Sequence, residues 1–190
     1  MTGVRQVRGI LFLDYVRMLK AQKSVDWAAH LPPEDVRYLS ERIDPDGWYP
    51  MESFERMGNQ ILATVAGGQL LAVHHWGRLS ASVLRAAHPQ LLAQDDPVES
   101  LSRFRVLRAT FFDFEAIEVP MLHDGEAQLI MHYYMGMPAE EAAAVQTQGF
   151  FEGLLWLAGA KDVRSSFREK SWDGAARTLL DLKWRGPWDR

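Results

Sequence analysis

The chain contains no cysteine among its 190 residues. Disulfides, thiolate zinc sites and cysteine nucleophiles are therefore excluded outright. No apolar run approaches the ~20 residues of a membrane span, so none is expected. A dominant charge is missing too: 21 Lys and Arg face 25 Asp and Glu, for a net charge of −4. That balance is not the electrostatic footprint of a nucleic-acid binder. The opening "MTGVRQVRGILFLDYVR" carries a short apolar run, but Asp14 and Arg17 break it and no small-residue cleavage site follows. It does not read as a signal peptide, and a cytoplasmic location is expected. Repeats and low-complexity segments are lacking as well. What is plentiful is apolar and aromatic: hydrophobic residues make up 47%, with seven Trp and nine Phe. Such a chain fits one domain, or a domain with a small subdomain. Its aromatics belong to a large core or to an aromatic-lined cavity, and composition does not separate the two.

Helical periods dominate the first part. Val7, Leu11, Tyr15 and Met18 recur at helical spacing and predict an amphipathic helix over 6–22. "PPEDVRYLSERI" predicts a second helix over 33–43, and "DPDG" is a turn. Pro50 at a first helical position opens a third helix that ends at Gly67-Gly68. Further helices are expected over 69–86 and 97–112, with a short one in "AAHPQLLAQDDP" between them. Then the period changes to two. "FEAIEVPML" sets Glu115, Ile117, Val119 and Met121 on one face, and "EAQLIMHYY" does the same for Ala127, Leu129, Met131 and Tyr133. The "HDG" between them makes a hairpin. A long helix follows in "PAEEAAAVQTQGFFEGLLWLAG", then two more strands around "SWDG". The expected class is α+β: a helical part over about 6–112, and a four-stranded antiparallel sheet in ββαββ order with its helix over about 113–185. The tail "RGPWDR" is expected to be loose.

Chemistry-bearing residues are scattered. His74 and His75 are adjacent, and helical neighbours point about 100° apart, so they do not chelate one metal together. One is expected to be partly buried and one solvated, with His74 and Arg78 able to share a face. His123 belongs to a turn. His132 is placed mid-strand on the face opposite Tyr133, with Ile130 and Tyr134. No metal site emerges from the six histidines, no nucleophile elbow appears, and no phosphate loop is present. Glu140 and Glu141 read as first-turn acids favoured by the helix dipole. Arg103, Arg105 and Arg108 form a modest basic stripe on a solvated helix face. Met121, Met131, Met135 and Met137 read as core filler. An enzyme would gain support if His132, Tyr134 and a carboxylate converged in a cleft.

Three features carry a resemblance to a known family: the ββαββ order, the glycine pair of "GFFEG" (Gly149 and Gly153) on the long helix, and the "MHYYMGM" stretch at the end of the second strand. Together they resemble the heme nitric-oxide/oxygen-binding (H-NOX) domain family. In the N-terminal part, "RGILFLDYVRML" and "WGRLSASVL" are similar to that family's opening helix and its "GR" helix. With "WYP" (Trp48 to Pro50) and Gly77-Arg78, the whole chain is still more similar to an uncharacterised bacterial paralogue family with this fold. That fold is shared with vinyl-reductase-type ligand-binding modules and vesicle-tethering subunits.

The resemblance implies an H-NOX-like fold and a place for heme, and the departures argue against the heme itself. The family's axial histidine falls at Leu107-Arg108, and no histidine lies between His88 and His123. A guanidinium has no lone pair for iron. The family's Y-x-S-x-R clamp for the heme propionates falls on Tyr133, Met135 and Met137, which share one face if the strand continues. Two thioethers offer a carboxylate neither charge nor a strong donor. No heme and no other cofactor is expected. A pocket lined by Trp76, Leu107, Arg108, Phe111, Tyr133, Met135 and Met137 is expected in its place, with Gly149 and Gly153 packing the long helix on the sheet. The leading function is a non-enzymatic signalling or ligand-sensing module that takes a small apolar ligand or a protein partner. The alternative is a ligand-free dimerisation or scaffold protein.

Overall fold

The computed structural model describes residues 4–188. The chain starts as a strand, β1 (Gln6–Arg8), and only then enters helix α1 (Gly9–Ala21). The helix expected over 6–22 thus loses its first residues to a ribbon with β2 (Trp48–Pro50), in which Val7 faces Tyr49 and also bridges Phe112. The buried stripe of α1 is Phe12, Tyr15, Val16 and Leu19. Of the predicted stripe only Tyr15 belongs to it, because the period was counted from a residue that is not helical.

Helix α2 (Pro33–Val36) closes in a 3-10 turn at Arg37–Leu39, short of residue 43. Its Asp35 is fully buried and takes two hydrogen bonds from Arg56, at 2.6 and 3.0 Å, which ties it to α3 (Met51–Gln60). Pro50 ends β2 and caps α3 from outside rather than opening it. The helix runs on through a π-turn at Ile61–Val65 and stops where Gly67 and Gly68 take φ of +58° and +77°. Helix α4 (Leu70–Ala87) follows, and residues 89–91 form a single 3-10 turn. Asp96 caps α5 (Pro97–Leu107) by accepting from the Glu99 N–H at 2.9 Å. The last turn expected to 112 is 3-10 at Arg108–Thr110.

The sheet is built from β3 (Ile117–His123), β4 (Glu126–Met131), β5 (Lys161–Glu169) and β6 (Thr178–Arg185), with helix α6 (Ala139–Leu157) between β4 and β5. The strands lie in the order β3-β4-β6-β5, all antiparallel. Gly125 supplies the positive φ that the Asp-Gly hairpin needs. Register explains the buried face: Ala127 faces Leu182, Leu129 faces Leu180 and Met131 faces Thr178, and all six are almost wholly buried. Burying each leucine side chain contributes roughly 1.5–3 kcal/mol. The same core cluster holds Phe12, Leu19 and Met57 from the first half and Phe151, Leu154 and Leu155 from α6.

The glycines of α6 act elsewhere than expected. A Cβ on Gly149 would sit inside the His74 carbonyl, and one on Gly153 would lie 2.7 Å from the Arg78 carbonyl oxygen. On the facing helix, a Cβ on Gly77 would overlap the Gln146 carbonyl. These three glycines seat α6 against α4, backbone on backbone; the close approach is between helices and not between helix and sheet.

Candidate functional site

A cavity of about 100 Å³ lies in the interior, walled by several elements. Tyr15 of α1 and Phe54 of α3 stack 4.0 Å apart and form one side. Phe104, Phe111 and Phe112, from the end of α5 and the turn after it, form a second. Tyr133 and Met135, beyond β4, and Thr147 and Phe150 of α6 close it. Leu11 and Asp14 of α1, Ser80 of α4 and Ala143 and Gln146 of α6 also line it and are only half-buried, so the approach from outside runs past them. A smaller space of about 20 Å³, enough for one water-sized molecule, adjoins it through Tyr15, Met135 and Gln146.

Polar groups in the cavity are few and mostly neutral. The Tyr133 hydroxyl bonds to the Thr147 hydroxyl at 2.5 Å, and the Tyr15 hydroxyl donates to the Gln146 side-chain oxygen at 2.7 Å. Burial pushes both phenols well above their ordinary value of 10. Neither becomes a phenolate at any physiological pH. Asp14 carries the one formal charge in the lining among the described residues.

The seven expected pocket residues are only partly brought together. Phe111, Tyr133 and Met135 line the main cavity, and Trp76 lines the smaller one with Met135. Leu107 packs against the core without reaching either. Arg108 faces outward and pairs with Glu115 at 2.9 Å. Met137 is 56% exposed. The reason lies at Tyr134, whose φ of +55° puts it in the left-handed region. β4 ends at Met131, so the two-residue alternation that would set Tyr133, Met135 and Met137 on one face does not continue. Two carboxylates hold the irregular segment: Glu140 accepts from the Met135 N–H at 2.8 Å and Glu55 from the Gly136 N–H at 2.9 Å. Glu140 is therefore a buried tether as well as a first-turn acid. Tyr15, Phe54, Phe104, Phe112 and Thr147 were not anticipated as cavity residues. A helical stripe marks a side chain as inward-facing but does not say whether it meets a neighbour or a void.

Two polar arrangements lie outside the cavity. At the α4–α6 seam, Glu152 accepts from Arg78 and from the Ser165 hydroxyl of β5, with His74 at 3.3 Å. Burial pushes its carboxyl up, but the hydrogen bonds from Ser165 and Arg78 and the neighbouring positive charge outweigh this and hold it below its ordinary value. His74 and Arg78 thus share a face as expected, and His75 is exposed. Elsewhere, His132 Nε2 meets Glu118 at 2.7 Å and its ring stacks on Tyr134 at 5.7 Å. His132 and Tyr134 share a surface cleft with Ser171, whose hydroxyl is engaged with Thr178 and Glu140. Of the basic stripe, Arg103 pairs with Glu99 and donates to the Leu92 carbonyl. In the tail, Lys161 donates to the Pro187 carbonyl at 2.6 Å and Trp188 is exposed; Asp189 and Arg190 lie outside the described residues. Among the described residues no group of three or more His, Asp or Glu could hold a metal ion, and no helix is long and apolar enough to cross a membrane.

Solved structures share this architecture over nearly the whole chain. An H-NOX protein from S. oneidensis in the Fe(II)NO ligation state superposes with a TM-score of 0.66 at 14% identity, covering 94% of this chain and 99% of its own. The fold is H-NOX-like. A mutant H-NOX from T. tengcongensis matches at 0.60 and 12% identity, covering 96% of this chain and 100% of that one. A Fe(II) unliganded H-NOX mutant from K. algicida matches at 0.62 and 14%, covering 95% and 98%. No protein-family model and no curated protein matches the sequence. Heme is named for the H-NOX family of one of these matching structures, so the cavity can be tested for fit. Sites for drug-sized ligands span roughly 300–1,000 Å³, and an iron porphyrin belongs in that range. This cavity is about 100 Å³. Among the described residues, its lining holds no imidazole and no cation for a propionate. Its phenols are kept neutral by burial, and Met135 alone offers a soft donor. The residues present do not fit heme.

Proposed function

We propose that this protein is a heme-free, non-enzymatic ligand-sensing module of the H-NOX fold, acting in the cytoplasm, that takes a small apolar molecule between α1, α5, α6 and the end of β4. The observation that carries this reading is the cavity itself: aromatic walls, two neutral hydrogen-bonded phenols and a volume of about 100 Å³. An apolar cavity of about 150 Å³ stays dry and takes benzene or xenon, so a guest of a few heavy atoms suits this one. The His132–Glu118 pair, with Tyr134 beside it, is the arrangement that would favour an enzyme. It stands half-exposed beside a serine already bonded to Thr178 and Glu140, so the non-enzymatic reading is kept. The test is incubation with hemin followed by desalting. The expected result is no stoichiometric Soret band, and a band that persists at one heme per chain would overturn the heme-free reading.

A second reading rests on α4. Leu71, Leu79 and Val83 are 65%, 66% and 49% exposed and lie eight and four residues apart, which makes one ridge of the i±4 kind. The helix has no acidic residue to repel or select a partner. Such a ridge suits an isologous contact with a second copy of the chain. Light scattering should then report a dimer that L79E converts to monomer; a monomeric wild type removes this reading.

A further inference from the structure

The cavity combines two features that a purely apolar guest would leave unused. Aromatic rings line it, with Tyr15 and Phe54 on one side and Phe104, Phe111 and Tyr133 on the others. Asp14 brings a lone carboxylate to the half-buried approach. Aromatic rings attract a cation through their negative faces, and a box of rings beside an acid is how proteins hold organic ammonium groups. The carboxylate is poorly served at present. Its partner Arg17 lies 3.5 Å away on the same helix and is 66% exposed, the kind of solvated pair that contributes little. Burial pushes the Asp14 carboxyl up, against the pull of Arg17, so a second cation closer to it would be welcome. We infer that the guest of this cavity is a small hydrophobic amine, its alkyl or aryl part among the rings and its ammonium on Asp14.

This inference rests on the ligand-cavity reading, and three molecules of one shape separate the two. Neopentane, tert-butanol and tert-butylammonium differ only in one group, and all are compact enough for the space. Binding at neutral pH is followed through the methyl signal of Met135 in protein labelled at the methionine methyls. All three should move that signal, and tert-butylammonium should bind at least about tenfold more tightly than tert-butanol. In D14N the ammonium advantage should vanish while neopentane binds as before. In R17A, which frees Asp14 from its competitor, the advantage should grow, so the inference remains testable even if D14N folds poorly. If neopentane binds but the ammonium gains nothing over the alcohol, or keeps its gain in D14N, the amine inference is wrong and the apolar cavity stands. If none of the three moves Met135, the cavity reading fails and the amine inference falls with it.

Discussion

Helix α6 meets two very different neighbours. Along Gly149 and Gly153 it touches α4 so closely that a single methyl group has nowhere to go. On the face of Ala143, Thr147 and Phe150, interleaved with those glycines along the helix, it borders about 100 Å³ of space. Interiors are normally packed to crystal-like density, and the seam obeys that rule. The cavity does not, although the same helix, rich in small residues, builds both. The difference teaches that the space is not slack in a loosely made fold. It sits beside one of the tightest contacts in the molecule, where the chain could not relax to fill it.

The largest effect should come from closing the seam. G149A improves helix propensity by about 1 kcal/mol, yet it drives a Cβ into the His74 carbonyl. That carbonyl belongs to backbone and cannot swing aside, so the helices must part, and we expect a net loss of about 3 kcal/mol or more, read as a fall in the urea midpoint. E152Q loosens the same seam by charge. Glu152 sits below its ordinary 4.5, so it stabilises fully above that pH and its contribution fades as the pH falls through the lower folded value. Wild type should therefore exceed E152Q in stability at neutral pH, and the gap should narrow below pH 4.5 in acid-unfolding curves. On the cavity side the effects should be smaller. Y133F strips a hydroxyl from a buried pair and leaves Thr147 without its partner, at a cost of about 1–2 kcal/mol. A143L is the counterpart of G149A, a small residue of α6 enlarged toward open space. It should stay within about 1 kcal/mol of wild type in thermal unfolding while abolishing guest binding. If A143L proves as damaging as G149A, the contrast between seam and cavity is false.

Much of this was legible from residue patterns. The hairpin, the long helix and the two last strands follow from period and turn chemistry, and Asp124-Gly125 placed its turn correctly. The N-terminal strand did not, because three residues of β1 carry too little pattern to compete with the helix beyond them. The site was half legible. Tyr133 was placed by the family motif that falls on it, and it lines the cavity, as Phe111 does. Met137 was assigned by extending a strand period through Tyr134, and no residue type there announces a left-handed turn; tyrosine adopts that conformation only when its surroundings impose it. Arg108 was placed inside because a family motif falls on it, yet its charge finds Glu115 at the surface. Glycines 149 and 153 signalled close approach, but the spacing alone could not name the partner.

The central claim is that the space walled by Phe104, Phe111 and Tyr133 is an aromatic-lined site open to small guests. Xenon tests it most directly, since it binds dry apolar cavities without any hydrogen bond. Crystals pressurised with xenon should show an anomalous peak among those three rings in wild type and none in A143L. A wild-type map with no xenon there, and side chains filling the space, would contradict the account.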